Sequence, residues 1–258
     1  MGDRNYPLKY ARLIALSLTL SIAMAGGPGG IVDGQVPQPR QDGQVNVISE
    51  SEIKEARKLL DTLGYWLIVD VQGLDASLRH ALIAFQKIEG LPRTGILTKE
   101  ELEVIRQARR PAARDPEYAH IEVDLSRQVL FVVDDEGVVT RILPVSTGSG
   151  ELFTEGGRTR RAITPTGRFT VSWKIEGWRK SPLGLLYYPN YIYDGIAIHG
   201  NPSVPPQPVS HGCIRIPMFA SKEFYRMAAI GTIVLVYDNR QPAPLAALPL
   251  PDGFTVQP

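Results

Sequence analysis

The spacing of apolar residues changes along this chain from a helical period to a period of two. In residues 47–110, apolar side chains recur every three or four positions, whereas Ile121, Val123 and Leu125 alternate with polar neighbours. The first pattern is typical of helices with one buried face, and the second is typical of strands with one buried face. Since the charged, proline-containing residues 107–117 separate the two patterns, we predict a small helical domain followed by a mainly β domain.

The helical domain, residues 47–110, is expected to contain three short helices. Ser49 and Glu52 have the spacing of a capping box, as do Thr98 and Glu101, and each pair precedes apolar residues at helical spacing. Another such run lies between the two pairs and ends at a glycine. We therefore predict an all-α bundle that is small but able to fold alone.

The β domain, residues 118–238, contains several short alternating or apolar runs that are separated by turn residues. Residues 169–175 are predicted to form one alternating strand, and residues 218–229 the single helix of this domain. Residues 146–163, which are rich in glycine and threonine, predict a long loop. Short strands, turn signals and one helix together predict an antiparallel β-sandwich or a barrel-like domain.

One stretch of the β domain, residues 195–217, carries the only cysteine, Cys213, and two of the four histidines, His199 and His211. A thiolate is the nucleophile of cysteine chemistry, and a nearby imidazole can remove the thiol proton. Gly212 permits a sharp turn between His211 and Cys213, and prolines stiffen the loop between the two histidines. This pattern predicts acyl transfer by Cys213, with more thiolate at neutral pH than a free cysteine carries.

A metal site is the competing use of cysteine and histidine in such a stretch. The stretch offers three candidate ligands, but structural zinc usually takes four, often with paired cysteines at short spacing. Because no second cysteine exists, we expect no metal site. A lone cysteine is also often a buried apolar residue without chemistry, but the flanking histidines favour the nucleophile.

The same stretch resembles the signature of a known enzyme family. I-H-G at residues 198–200, followed by S-H-G-C-I-R at residues 210–215, is similar to the motif of the L,D-transpeptidase catalytic domain family. The resemblance extends over residues 118–237 and includes T-P-T-G-R-F at 164–169 and S-P-L-G at 181–184. Members of this family are exported enzymes that cross-link bacterial peptidoglycan through a cysteine acyl-enzyme.

The resemblance implies a role for each residue of the motif. Cys213 is the expected nucleophile, and His199 is the expected general base, oriented by the carbonyl oxygen of Gly200. Backbone N–H groups around the nucleophile are expected to hold the oxyanion. His211 is expected to line the site. Ser210, Gly212 and Arg215 are expected to hold the oxyanion or to bind substrate, and the expected ligand of Arg215 is a carboxylate.

The resemblance also implies a reaction without a metal or an organic cofactor. Cys213 attacks the carbonyl that links the third residue of a peptidoglycan tetrapeptide stem, a diamino acid, to the terminal D-Ala. The side-chain amine of a second stem then resolves the thioester, and carbapenems are the expected acylating inhibitors. The alternatives are an L,D-carboxypeptidase or other hydrolase of the same fold, attachment of envelope proteins to peptidoglycan, and a wall-binding protein with a dead site.

The helical domain resembles the three-helix peptidoglycan-binding module. The matching pieces are L-G-Y at residues 63–65, A-L-I-A-F-Q at 81–86 and G-L-P-R-T-G at 90–95. The resemblance implies that the bundle holds the enzyme on its polymer, so we expect an enzyme without it to act on soluble stem peptides. The alternative is a spacer. Tyr65 and Trp66 are candidates for stacking on sugar rings, although such aromatic residues are more often part of a core.

The N-terminal residues indicate export to the periplasm or cell wall. A basic front, an apolar run at residues 13–23 and A-M-A at 23–25 are typical of a secretory signal peptide, residues 1–25. The run is short for a membrane span, so we expect cleavage, with no span remaining, rather than an uncleaved anchor. Residues 26–46 are expected to be a flexible linker, and the proline-rich residues 239–258 a disordered tail. The net charge of +1 is too small to predict binding of nucleic acid.

Overall fold

The computed structural model describes residues 48–240. The predicted signal peptide, residues 1–25, the predicted linker, residues 26–46, and residues 241–258 of the predicted tail lie outside the described residues. None of the helices in the described part has the length and apolar content that are needed to span a bilayer.

Three helices precede the strands of the described part, and a fourth lies among the strands. The helices are α1 (Glu50–Thr62), α2 (Ala76–Glu89), α3 (Lys99–Gln107) and α4 (Met218–Met227). The strands are β1 (His120–Asp124), β2 (Val129–Val133), β3 (Val139–Pro144), β4 (Leu152–Glu155), β5 (Arg158–Arg161), β6 (Gly167–Thr170), β7 (Trp173–Lys174), β8 (Trp178–Ser181), β9 (Gly184–Tyr193), β10 (Ile196–Asn201), β11 (Ile214–Pro217) and β12 (Ile233–Tyr237).

The predicted capping boxes differ in outcome. At α1 the box is complete, because Ser49 Oγ accepts from the Glu52 N–H and the Glu52 carboxylate accepts from the Ser49 N–H. At α3 the Thr98 hydroxyl accepts from the Glu101 N–H, but the Glu101 carboxylate accepts from the amide of Gln86 instead. The second box is therefore only half formed, since Glu101 ties α3 to α2.

The strands form two main sheets and a separate hairpin. The first sheet has the order β3-β2-β1-β12-β6, the second has the order β11-β10-β9-β7 with β8 also on β9, and β4 pairs with β5. Pairing is antiparallel except that β1 runs parallel to β12 and β10 runs parallel to β11. The prediction of an antiparallel domain is therefore wrong for these two pairs. Parallel strands need a long connection, and the proline-rich loop between β10 and β11 is one such connection.

Two strand predictions are also wrong. Residues 146–163, predicted to be a loop, contain the β4–β5 hairpin, whose mostly exposed residues include adjacent Leu152 and Phe153 but no apolar alternation. Residues 169–175, predicted to be one strand, are divided between β6 in the first sheet and β7 in the second. The alternation of apolar residues continues across this division, so the sequence pattern does not reveal it.

The first sheet is covered on both faces. Alternate side chains of β2 face opposite directions, and Val129, Phe131 and Val133 belong to one apolar core with the residues of α1–α3. Leu130 belongs to the other core, which both sheets and α4 share. The helical bundle and the β region therefore meet in a common core along β2 and β3, and residues 48–240 lie within one compact unit.

Tyr65 and Trp66 belong to this buried region. The Trp66 N–H donates to the Ile142 carbonyl at 2.9 Å, which attaches the chain after α1 to the edge of β3. Tyr65 is 1% exposed and packs edge-on against Phe85, and Trp66 is 6% exposed. The interpretation of these two rings as a sugar-stacking surface is therefore wrong, because both are core residues.

Candidate active site

The parallel pair β10 and β11 brings the motif histidine and cysteine to one cleft. His199 on β10 is in register with Arg215 on β11, and Cys213 lies one residue before β11. Residues two apart on a strand share a face, so Cys213 and Arg215 lie on the side of the sheet that carries His199. All three residues line the same cleft.

His199 has a fixed ring orientation. Its side chain is buried, and Nδ1 lies 2.9 Å from the carbonyl oxygen of Gly200, which is the contact expected for Gly200. When Nδ1–H donates to this carbonyl, Nε2 is the nitrogen that can accept a proton. Gly200 has to be a glycine, because a Cβ atom there would lie 2.2 Å from the Ser221 Oγ of α4.

Burial keeps the His199 and Cys213 side chains uncharged at rest. Burial lowers the pKa of His199 to about 4, with Arg215 acting in the same direction and the Gly200 carbonyl against it. Burial also raises the pKa of the Cys213 thiol, against the smaller effects of the Ala197 N–H and of Arg215. The expectation of extra thiolate at neutral pH is therefore wrong, and the resting pair is a thiol and a neutral imidazole.

Ser210 holds the turn that carries Cys213. The Ser210 hydroxyl donates to the Cys213 carbonyl at 2.6 Å and accepts from the Gly212 N–H at 3.0 Å. Gly212 has a φ of +141°, and a Cβ atom there would lie 3.0 Å from the Ile163 carbonyl oxygen. The Gly212 N–H, a predicted oxyanion donor, is bonded to Ser210 in this structure. Ser210 is buried and acts within the turn.

Thr164 is a site residue that the sequence analysis did not single out. Its hydroxyl donates to the Gly212 carbonyl at 2.6 Å and accepts from the Gly148 N–H at 2.9 Å. Thr164 therefore bonds the carbonyl of Gly212, the residue whose N–H bonds to Ser210. It is the first residue of the quoted T-P-T-G-R-F segment, so the segment itself was the available signal.

Residues 145–149, here called the support segment, lie beneath this turn. Ser146 and Arg215 exchange backbone hydrogen bonds of 3.2 and 3.0 Å. The Ser210 N–H donates to the Thr147 carbonyl, and the Ser149 N–H donates to the Ser210 carbonyl, both at 2.9 Å. The support segment thus holds both ends of the S-H-G-C-I-R stretch.

His211 lies at the rim of the cleft. Its side chain is exposed, and its ring packs on Phe153 of β4 with the ring centroids 4.7 Å apart. It lines the cleft, as expected, but it is held by the β4–β5 hairpin that the sequence did not reveal. Phe153 is therefore a second contributor that the sequence analysis missed, and only the tertiary contact identifies it.

The cleft has a volume of about 490 Å³ and lies between the β4–β5 and β8–β9 hairpins. The S-P-L-G residues, 181–184, form the turn of the second hairpin and line the cleft. Cations outnumber anions in its wall, which contains the following charged residues: Arg160, Arg161, Arg179, Arg215, Glu155 and Asp194. Within residues 48–240, no carboxylate forms an ion pair with Arg215, and no cluster of three ligating side chains suits a metal ion. The wall therefore favours a ligand that carries carboxylates.

Two family models match this chain. A model of the L,D-transpeptidase catalytic domain matches residues 118–236, and a peptidoglycan binding domain model matches residues 49–105. A search of curated proteins finds no match. The first matched range includes both hairpins, the support segment and the Cys213 turn.

Several solved structures are similar to this chain. The L,D-transpeptidase of Xylanimonas cellulosilytica is 35% identical over 72% of this chain and 93% of that chain, with a TM-score of 0.69. The L,D-transpeptidase of Stackebrandtia nassauensis is 24% identical over 76% and 94%, with a TM-score of 0.43. The catalytic domain of the E. faecium L,D-transpeptidase is 28% identical over 47% and 98%, with a TM-score of 0.36. The Xylanimonas protein is a relative over nearly all of its crystallised length.

Proposed function

This chain belongs to the L,D-transpeptidase family, and on that premise we propose that it is an exported enzyme that cross-links peptidoglycan between the third residues of two stems. The observation that carries the proposal is the site itself. Cys213 and His199 line one cleft, and the bond from His199 Nδ1 to the Gly200 carbonyl leaves Nε2 as the proton acceptor. A nucleophile, a base and a group that orients the base are the parts that acyl transfer requires.

In the proposed first step, Cys213 Sγ attacks the carbonyl carbon between the third residue and the terminal D-Ala of the donor stem. His199 Nε2 accepts the thiol proton, which only the neutral imidazole can do. The carbonyl oxygen gains negative charge, and the Cys213 N–H is its proposed donor, since the Gly212 N–H is bonded to Ser210. The C–N bond then breaks, His199 returns the proton to the leaving amine, and D-Ala departs from a thioester.

In the proposed second step, the side-chain amine of an acceptor stem attacks the thioester carbon. His199 accepts a proton from this amine, the bond between the acyl carbon and Sγ breaks, and Cys213 is released as a thiolate that takes the proton back from His199. The guanidinium group of Arg215 is proposed to bind a stem carboxylate, which its position in the cleft and its lack of an ion pair within residues 48–240 support.

The test is the fate of Cys213 and of the donor stem. Incubation with a tetrapeptide stem and an acceptor should release D-Ala and form a dimer, and a carbapenem should add one inhibitor mass to the peptide that contains Cys213. The Cys213→Ala variant should lose both the adduct and the product. His199→Ala should slow acylation about 10²–10⁴-fold, the usual cost of losing a general base.

Three results would contradict the proposal in different ways. Full cross-linking by Cys213→Ala would exclude the acyl-enzyme. Tripeptide release without any dimer at high acceptor concentration would identify a hydrolase. A native acylation rate in His199→Ala together with a strong loss in His211→Ala would exchange the roles of the two histidines.

Export is part of the proposal. The basic front, the apolar run and A-M-A at residues 23–25 support a mature protein that begins near Gly26. The mass of the protein that is recovered from the cell envelope tests this, and an intact Met1 terminus there would contradict it.

A further inference from the structure

Lys87 connects the helical bundle to the β region through buried hydrogen bonds. It lies on α2, its side chain is 2% exposed, and Nζ donates to the backbone carbonyls of Gln128 and Val145, both at 2.9 Å. Burial, with Arg93 as a smaller cause, lowers the pKa of Lys87 to about 7. An ammonium and a neutral amine can each donate two N–H bonds, so both carbonyls remain bonded in either form.

Both acceptors of Lys87 lead to the support segment. Val145 is its first residue. Gln128 is buried, and its side-chain amide makes two hydrogen bonds to the support segment. Nε2 donates to the Thr147 hydroxyl at 2.7 Å, and Oε1 accepts from the Thr147 N–H at 3.0 Å. Gln128 has a φ of +61°, a conformation that non-glycine residues rarely adopt and that surrounding contacts must hold.

The path continues from Thr147 to the nucleophile in two hydrogen bonds. The Thr147 carbonyl accepts from the Ser210 N–H at 2.9 Å, and the Ser210 hydroxyl donates to the Cys213 carbonyl at 2.6 Å. Thr147 and Ser210 are buried, so a lost bond there leaves a polar group that water cannot easily satisfy. A shift of the support segment therefore displaces the turn that carries the thiol.

We propose that Lys87 is a positioning residue for Cys213, so that the geometry of the nucleophile depends on the docking of the helical bundle on the first sheet. The proposal rests on the proposed function, in which Cys213 is the nucleophile. Lys87 touches neither substrate nor the reacting atoms, and it acts through Gln128 and the support segment. The bundle is then a structural part of the catalytic site as well as a candidate wall-binding element.

Two other cations of the bundle provide controls. Arg110 crosses the same interface, where it donates to the Val139 carbonyl of β3 and to the Thr62 carbonyl, but neither acceptor belongs to the support segment. Arg57 is as buried as Lys87 and also donates to backbone carbonyls, but its bonds, which include an ion pair with Asp75, remain inside the bundle. Arg110→Met tests a lost interface bond, and Arg57→Met tests a lost buried cation.

The experiment compares Lys87→Met with these two variants in the full chain. The measurements are the melting temperature, the donor KM, the rate of Cys213 acylation by the donor and the rate of thiol alkylation by iodoacetamide. We expect Lys87→Met to slow acylation about tenfold, a typical effect for a residue in a coupling network, with an unchanged donor KM. Alkylation should change as well, whereas Arg110→Met and Arg57→Met should react at the wild-type rate in their folded state.

A double-mutant cycle separates positioning from general destabilisation. If Lys87 acts through the turn, Lys87→Met should slow acylation much less in a Ser210→Ala background than in the wild type. The proposal would be overturned if Lys87→Met slowed acylation by the same factor in the Ser210→Ala background as in the wild type. Equal acylation rates for Lys87→Met and Arg110→Met would also overturn it.

A second variant keeps the test decisive if Lys87→Met does not fold. Gln128→Met leaves Lys87 and the interface carbonyls in place but removes both bonds to Thr147, together with one to the Leu125 carbonyl, and it should slow acylation to a similar extent. A wild-type rate in a folded Gln128→Met protein would overturn the proposal. If no donor acylates the wild type, the proposed function fails, and the alkylation rates still decide the positioning role.

Discussion

His199 and Cys213 rest as an uncharged pair, because burial disfavours the imidazolium and the thiolate alike. In many cysteine enzymes the nucleophile is a preformed thiolate. In the proposed mechanism the proton moves to His199 as the sulfur attacks, and the bond from Nδ1 to the Gly200 carbonyl sets the direction in which Nε2 accepts it. The resting thiol is also protected from unspecific electrophiles, since the thiol reacts much more slowly than the thiolate.

The neutral pair predicts an unusual pH dependence. His199, with its pKa lowered to about 4, loses its ability to accept a proton only as the pH falls through about 4. The rate of donor acylation should therefore persist well below pH 6.5, where an ordinary imidazole is half protonated. Iodoacetamide should alkylate Cys213 at pH 7 more slowly than a free cysteine peptide. An acid limb near pH 6.5, or faster alkylation than the peptide, would contradict this assignment.

Thr164 offers a second test at the scale of one residue. Thr164→Val keeps the shape of the side chain but removes the hydroxyl that bonds the Gly212 carbonyl and the Gly148 N–H. Leaving the buried Gly212 carbonyl and the half-buried Gly148 N–H unpaired should cost about 1–3 kcal/mol of stability and slow acylation. Thr164→Ser keeps the hydroxyl and is the matched control. Equal acylation rates for the two variants, measured on folded protein, would show that the hydroxyl does not hold the turn.

At the scale of elements, the sequence predicted those features that have a local signal. The Ser49 capping box, the three short helices and the order of helical and β regions follow from residue spacing, and the structure has them. The β4–β5 hairpin has no such signal, because its residues are mostly exposed and its two apolar residues, Leu152 and Phe153, are adjacent rather than alternating. The parallel pairings escaped notice because register between distant strands depends on tertiary packing rather than on local pattern.

The candidate site shows the same division. Cys213, His199 and Gly200 were identifiable because they stand in a motif, and the structure places Cys213 and His199 in one cleft with the His199 ring against the Gly200 carbonyl. The hydrogen bond from the Gly212 N–H to Ser210 could not be predicted, because the same motif allows this N–H to face either the serine or the substrate. The pKa values were also beyond reach, because burial is a property of the folded chain.

The shared core between the bundle and β2 leads to a prediction that replaces the earlier expectation about truncation. Removal of residues 47–110 would expose Val129, Phe131 and Val133, and burial of each such side chain is worth about 1.5–3 kcal/mol. We expect the truncated protein to aggregate or melt far below the full chain, and to lose activity even on soluble stem peptides. The measurements are soluble yield, thermal unfolding and turnover. Cooperative unfolding with full turnover would contradict the prediction.

At the scale of the whole molecule, the match to a peptidoglycan binding domain supports a second contact with the polymer, which we propose lies on the helical bundle. The full-length Cys213→Ala protein should pellet with purified sacculi, because this contact does not need the nucleophile. A matched control is the same protein with an excess of soluble stem peptide, which occupies only the cleft. If the peptide releases all of the protein, or if nothing pellets, the bundle does not bind the wall.

The common core of the bundle and the first sheet fixes the distance between the bundle and Cys213. A wall enzyme whose binding module hangs on a flexible tether can sweep every stem within the radius of the tether. Here the distance from any glycan contact on the bundle to Cys213 is set by packed side chains, and Lys87 is one of them. An enzyme bound to one glycan strand in this way would reach stems at one distance and one angle. The spacing of its cross-links along the polymer would then equal the distance between its glycan contact and Cys213.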